Sequence, residues 1–424
     1  MLDRALDFLL AQTWESLPAI FWVPLFLEFP RFVLGGALVG WFVASGRLGR
    51  QARDRVVEVG ITAVVPAHND PVSVRRTVDS LREQTIGPIQ IVVVNDGSTD
   101  ATDAACRALL RQGRIDAYLP LTARGGKAAA VNLALSVARH PLFLVTDSDT
   151  TFDRDALAEA AAPFEDPAVG VSGGTLRVRN GDATLATRVQ QLNYAYSITL
   201  GRVVKSMLSF YFVASGAFGL YRTEAVRGAG GWDFGPGEDG DIMTRLRAAG
   251  WKAAFVPTAV AMTEVPESFV KLARQRLRWN RSFVRNRYRK SRAAILDVRR
   301  RDFDVPLAIS FLDGYFFNGV VPFLFAVYLA HLFVTYGEMA PVFLLAVTGF
   351  YLAVDVIQFG ATLTLSNRPR ADLRLIAYLP LYSVVNAYFL RFVRFYAVAD
   401  ELIRRGSYTD PYVPAKVRAR VPRY

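Results

Sequence analysis

Cysteine is nearly absent from this 424-residue chain: Cys106 stands alone, which excludes an intrachain disulfide. With His68, His140 and His331 the only histidines, a metal cluster built from Cys and His is excluded as well. No internal repeat or low-complexity stretch is evident. No DNA-reading motif accompanies the basic residues, which argues against a nucleic-acid partner.

What is present is apolar and basic. Hydrophobic residues make up 52% of the chain and charged residues 21%, a mixture that fits one large soluble domain plus several membrane helices. The net charge of +12 is clustered: residues 271–292 carry ten Lys/Arg and no acid, and the tail after Arg404 is also basic. Beside long apolar spans, such runs point to the anionic inner face of a bilayer.

Five regions follow: an N-terminal membrane segment (1–55), an α/β domain (56–270), amphipathic interface helices (271–304), C-terminal transmembrane helices (305–400) and a basic cytoplasmic tail (401–424). In the first, the apolar stretch 17–44 is interrupted by Glu28, Pro30 and Arg31. Either Pro30 kinks a spanning helix or the first half lies in the interface. A poorly basic start argues against a cleavable signal peptide. Arg47, Arg50, Arg53 and Arg55 set this end of the segment in the cytoplasm by the positive-inside rule. In the α/β domain, 59–65 (VGITAVV), 89–94 (IQIVVV) and 142–146 (LFLVT) read as strands, with helical spacing over 73–83, 99–112 and 127–138. That order predicts a mostly parallel sheet with ligands at the carboxyl ends of its strands. Further on, 305–336 and 339–365 are long apolar spans joined by a short Gly-Glu turn. A basic loop (367–374) precedes a last span, 375–398, containing Asn386, Arg391 and Arg394. Those charges read either as a lined pathway through the bilayer or as an amphipathic helix on its surface.

Six motifs carry possible chemistry. The first strand ends in Pro66-Ala67-His68-Asn69-Asp70, a tight loop where a base or ribose can sit. The second ends in Asn95-Asp96-Gly97-Ser98-Thr99-Asp100, where Asp96 can accept from a base or ribose; the same residues suit a strand-to-helix turn capped by Ser98 or Thr99. Asp147-Ser148-Asp149 follows the third strand, and two carboxylates so placed can share Mg²⁺ or Mn²⁺ with substrate phosphates. Arg124-Gly125-Gly126-Lys127 opens a helix, bringing backbone amides and a cation to a phosphate, or else is a flexible loop with a surface lysine. Gly237-Glu238-Asp239-Gly240-Asp241 starts an amphipathic helix; its acids either complement the helix dipole or provide in Asp239 a general base for an acceptor hydroxyl. Gln275, Arg278 and Trp279 fall on one helical face, suited to clamping a diphosphate and stacking on a sugar, or simply to an interface helix.

Taken in order, Asp96, Asp147/Asp149, Glu238-Asp239 and Gln275, Arg278, Trp279 form a D…DxD…ED…QxxRW series that resembles the processive membrane branch of glycosyltransferase family 2, from about residue 59 to 292. Gly237-Glu238-Asp239, the run 278–283 (RWNRSF) and 215–222 (SGAFGLYR) resemble hyaluronan and chitin-oligosaccharide synthases more than cellulose synthases. The resemblance implies an α/β GT-A (Rossmann-like) cytoplasmic domain with N- and C-terminal transmembrane helices in the inner (plasma) membrane. It implies processive, inverting transfer from a UDP-sugar to a β-linked polysaccharide that passes across the bilayer, with accessory export proteins possible. The alternative is a non-processive enzyme loading a sugar onto a lipid phosphate carrier. Donor contacts would be Pro66, Asp70, Asp96, Lys127, Asp147, Gln275 and Arg278; metal ligands Asp147 and Asp149. Asp239, with Glu238, would be catalytic, and Trp279, Ser215 and Gly216 would meet the acceptor. Asn69-Asp70 stands where Asn-Glu is usual, Arg124-Gly125-Gly126-Lys127 where Asn-Ala-Gly-Lys is commoner, and Val213 or Ala214 where a cysteine often precedes Ser-Gly. These departures leave the sugar open.

Overall fold

The three apolar runs become strands because both of their faces are covered. In β1 (Ile61–Ala67), β2 (Ile89–Asp96) and β4 (Leu142–Thr146) odd and even residues go to opposite cores. Ala63, Val65, Ile91, Val93 and Leu144 meet the helices Pro71–Arg82 and Thr102–Arg111; Val64, Val92, Val94, Phe143 and Val145 meet Lys127–Ser136 and Glu238–Ala248. Burial on both sides is why these strands read as continuous rather than alternating apolar runs. This computed structural model describes residues 17–45, 59–210, 214–299 and 303–423, with a few before residue 17; Arg47, Arg50, Arg53, Arg55 and Val213 lie outside them.

With β3 (Ala117–Leu121), β5 (Thr151–Phe152), β6 (Val169–Val178), β7 (Phe218–Arg222) and β8 (Lys252–Thr263), the sheet runs β3-β2-β1-β4-β7-β6-β8-β5. The parallel half, β3-β2-β1-β4, agrees with the sequence expectation. In the other half β6 also pairs parallel with β8, so the sheet is mostly parallel as expected; β7 is antiparallel to both β4 and β6, and β5 to β8. The cause is topological. Phe218 pairs with Thr146, so the chain enters β7 at the carboxyl end of β4 and must run back. Pro66, in a central strand, lies beyond Val64, where β4 stops pairing with β1, so its missing amide leaves no gap in that ladder.

Among the described residues three helical runs are long and apolar enough to cross a membrane: Val23–Trp41, Val305–Thr364 and Pro369–Ile403. The second, at 60 residues, would extend about 90 Å if straight, roughly three times a bilayer core. It instead turns at Gly337, which takes φ 52°, and the two arms pack through Phe325, Tyr328 and Leu332 against Phe343 and Val347. The loop expected over 367–374 is helical from Pro369, where a proline at the first turn leaves no amide unsatisfied. Two arginines within the runs are matched by carboxylates. Arg391 pairs with Glu28 at 2.9 Å and lies 4.0 Å from the Phe325 ring centroid, while Arg31 pairs with Asp313 at 2.9 Å and lies over Phe317. Arg391 therefore points into the bundle, not along a surface.

Candidate active site

The loops after β1, β2 and β4 emerge side by side and are tied together. Asp70 caps the helix Pro71–Arg82, its Oδ1 accepting from the Ser73 amide at 3.1 Å, while its Oδ2 accepts from Ser148 Oγ at 3.3 Å. Thr77 Oγ1 donates to the Ser148 carbonyl at 2.7 Å, fixing the acidic turn from below. Neither Ser98 nor Thr99 caps the next helix. Ser98 Oγ accepts from the Asn69 amide and Thr99 donates its amide to Asn69 Oδ1; Asp100 takes the Thr102 amide instead.

Asp96 is buried and holds the glycine loop. Its Oδ1 accepts from Gly125 N at 2.6 Å and Gly126 N at 3.1 Å, and its Oδ2 from Gly126 N at 2.9 Å. Of about four acceptor positions on a carboxylate, three are thus occupied by the chain itself. Gly97 adopts φ +65°, and a Cβ there would lie 2.6 Å from the Arg124 nitrogen, so only glycine admits this approach.

Lys127 is the hub. Its ammonium donates to Asp147 and, at 2.7 Å, to the Gly216 carbonyl, joining the glycine loop, the acidic turn and the Ser215-Gly216 segment. A Cβ on Gly216 would stand 2.7 Å from Lys127 Nζ and 3.9 Å from Asp239 Oδ2, which measures how closely the elements meet. Burial pulls Lys127 down, but Asp147, Glu238 and Asp239 together hold it above its ordinary value. Burial and then the Asp147 charge push Asp149 up to about 6; its Oδ1 accepts from Thr263 Oγ1 at 3.1 Å. Burial and then the Asp239 charge push Glu238 up to about 7. Asp241, third acid of that turn, is structural: it is 2% exposed and paired with Arg245 at 2.9 Å and Lys290 at 2.5 Å.

The acids converge; the Gln275–Trp279 face is less uniform than its spacing implies. Arg278 lies 3.8 Å from the Tyr412 ring centroid, Trp279 is 41% exposed with Arg276 4.4 Å from its ring centroid, and Gln275 Oε1 is buried without a partner among the described residues. Asn286 Nδ2 donates to the Gly237 carbonyl at 2.7 Å, anchoring the Glu238-Asp239 turn to the segment after Phe269–Phe283. Three neighbours had no motif to announce them: Tyr194 is buried beside Asp147, Asp149 and Arg276, Arg202 faces Asp239, and Tyr412 covers Arg278. Their positions follow from long-range packing that no local spacing encodes.

Among the described residues no three His, Cys, Asp or Glu side chains group as a closed metal site. Asp147 and Asp149 do fit a hard divalent cation that takes most of its oxygens from elsewhere. They are two near carboxylates, one of them raised by its neighbour's charge, so a cation between them removes that repulsion.

Residues 59–282 match the family described as "Glycosyltransferase like family 2". An N-acetylglucosaminyltransferase of Azorhizobium caulinodans is 31% identical over 239 residues, covering 53% of this chain and 60% of that protein. A poly-beta-1,6-N-acetyl-D-glucosamine synthase of Staphylococcus aureus is 28% identical over 222 residues, covering 52% and 53%. The matches thus span little more than half the length of these curated relatives. A mannosyltransferase from Pyrobaculum calidifontis, solved with GDP-Man and Mn²⁺, superposes with a TM-score of 0.57 at 22% identity over 84% of this chain and 96% of that one, which establishes a shared GT-A-like fold. The chain belongs to glycosyltransferase family 2, and among its described residues three helices are candidate membrane spans.

Proposed function

We propose that this enzyme extends a β-linked polysaccharide processively from a UDP-sugar and passes it across the inner membrane, with its sheet domain in the cytoplasm. The observation that carries this is the convergence of Lys127, Asp147, Gly216 and Asp239 at one end of the sheet, under helices that run into the candidate spans. The relatives' names, an N-acetylglucosaminyltransferase and a poly-N-acetylglucosamine synthase, favour a polymer of amino sugars.

In this reading Pro66, Asp70 and the free acceptor position on Asp96 border the nucleotide, while Lys127, Arg278 and Gln275 face the diphosphate. Asp147 and Asp149 would hold Mg²⁺ or Mn²⁺, which would offset charge building on the leaving diphosphate. Asp239 takes the proton of the acceptor hydroxyl; that oxygen bonds to the anomeric carbon as the bond to the diphosphate oxygen breaks, and the configuration inverts. Burial of Glu238 keeps a second full negative charge away from that base below about pH 7. Trp279, Ser215 and Gly216 border the acceptor, and the basic 271–292 run lies along the inner leaflet.

Incubating the purified chain with individual UDP-sugars and Mg²⁺ or Mn²⁺, then sizing the product, tests this. A long polymer is expected. UDP release with only a single-residue product overturns processivity and favours loading of one sugar onto a lipid carrier.

A further inference from the structure

The helix Phe269–Phe283 sends its arginines in different directions. Arg278 faces the Tyr412 ring, and Arg281 pairs with Asp400 at 2.7 Å. Arg276 does neither. Three residues before Trp279, it shares a helical face with the indole and places its guanidinium 4.4 Å from that ring's centroid. Its Nη2 donates to Asn193 Oδ1 at 2.9 Å, while its Nε is buried without a partner among the described residues. Among those residues, Asn193 therefore supplies the side-chain hydrogen bond that fixes this guanidinium.

Asn193 is itself held from the side of the candidate spans. It stands next to last in the helix Leu185–Tyr194, and the hydroxyl of Tyr382, in the run Pro369–Ile403, lies against its amide. Leu192, Tyr196, Leu272, Leu379 and Tyr382 belong to one buried apolar cluster, which joins this helix, the arginine helix and that run. Tyr196 meets Tyr382 edge-on with ring centroids 5.1 Å apart, and its hydroxyl donates to the Asp355 carbonyl at 2.9 Å. Ser383, beside Tyr382, donates to the Asp355 carboxylate. A path of direct contacts thus leads from Asp355 through Tyr196, Tyr382, Asn193 and Arg276 to Trp279.

Trp279 is 41% exposed, and Arg276 covers one face of its ring. The other face is the one a sugar can stack on. An unsupported indole swings about its side-chain torsions. A guanidinium held against one face removes much of that freedom before a ligand arrives, and such preorganisation lowers the entropic cost of binding. In an apolar surrounding the charge-assisted bond from Arg276 to Asn193 keeps its geometry.

We infer that Asn193 is a positioning residue for the acceptor: it holds Arg276 against Trp279 and so fixes the indole from the side of the membrane helices. The inference rests on the acceptor role proposed for Trp279. It assigns Arg276 to the acceptor, although Arg278, two residues on, is assigned to the diphosphate of the donor. Asn193 itself touches neither donor nor acceptor in this arrangement and acts through Arg276.

The test is transfer from UDP-N-acetylglucosamine to a β-linked N-acetylglucosamine tetramer by the full chain in nanodiscs with Mn²⁺, as the tetramer concentration is varied. Asn193→Leu is expected to raise KM for the tetramer about tenfold, the scale of one charge-assisted contact. Both kcat at saturating tetramer and the calorimetric affinity for UDP should stay within about twofold. Asn193→Asp, which keeps an oxygen for Arg276, should return KM to within about twofold of the unmodified value. An unchanged KM in Asn193→Leu, a fall in kcat instead, a matching loss of UDP affinity, or no rescue by Asn193→Asp overturns the inference. If Asn193→Leu does not fold, Arg276→Lys decides. It keeps the charge but not the planar fork, so KM should rise likewise, and an unchanged KM overturns the inference. Should the unmodified chain bind the tetramer without extending it, the transferase reading alone fails, and calorimetric binding of the tetramer to the same variants reads the same gap. An unmodified chain that does not bind the tetramer removes the acceptor platform, and the inference with it.

Discussion

The guanidinium of Arg278 lies 3.8 Å from the ring centroid of Tyr412, and Arg124 faces the same ring at 5.6 Å. Pro414, two residues on, sits 3.5 Å from where a Cβ of Gly126 would be. The segment around Tyr412 thus lies across the glycine loop and over the arginine assigned to the diphosphate. In the proposed function, donor binding exchanges the aromatic ring for phosphate oxygens. A cation–π contact contributes about 0.5–2 kcal/mol, so Tyr412→Ala is expected to tighten UDP binding by about 2- to 30-fold. Calorimetry with UDP and Mn²⁺ measures this, and unchanged affinity would remove the ring from the donor site.

Asp239→Asn should separate chemistry from binding. Loss of a general base lowers turnover by about 10²- to 10⁴-fold, while UDP affinity, which rests on other residues, should stay within about threefold. Product formation and UDP binding measured on one preparation check both halves. Near-full activity would assign the base elsewhere.

Glu238 makes stability depend on pH. Its folded value of about 7 lies above the ordinary 4.5, so the stability it contributes is fully present below 4.5 and lost as pH rises through about 7. Asp149, pushed up to about 6, acts in the same direction. Thermal unfolding of the metal-free protein should fall across that range, and Glu238→Gln, always neutral, should fall less. Parallel curves for the two proteins would contradict the burial of this carboxyl.

Glu28 and Arg391 bridge the first and last candidate spans at 2.9 Å. Removing one partner leaves an uncompensated buried charge, so Arg391→Met is expected to destabilise by about 3–5 kcal/mol. Adding Glu28→Gln should recover most of that loss. A double-mutant cycle on unfolding in detergent gives the coupling, and additive losses would show that the two charges do not meet.

Much of the site was legible because it lies at strand ends. The runs ending at Ala67, Asp96 and Thr146 are buried on both faces, so their apolar composition betrays them, and the polar residues just beyond must emerge together. β6 and β7 escaped because they mix glycine and arginine with apolar residues, and β8 because it is rich in alanine and threonine and holds Pro257; all three are stabilised by partners distant in the chain. The antiparallel course of β7 likewise depends on where the chain re-enters the sheet. Asp96 was legible as a candidate acid at a strand end, but not its three bonds to the glycine loop, which need φ +82° at Gly126. Pairings across hundreds of residues, such as Glu28 with Arg391, are set by helix packing alone. The arginines in the spans could be seen as anomalous, though not with whom they pair.

The central claim is that Asp149 and its neighbours hold a nucleotide diphosphate through a divalent cation beside the base Asp239. Calorimetric titration of UDP with and without Mn²⁺, on the unmodified chain, Asp149→Asn and Asp239→Asn, tests it most directly. Binding that requires Mn²⁺, is lost in Asp149→Asn and survives in Asp239→Asn is the predicted outcome. Metal-independent binding, unaffected by Asp149→Asn, would contradict it.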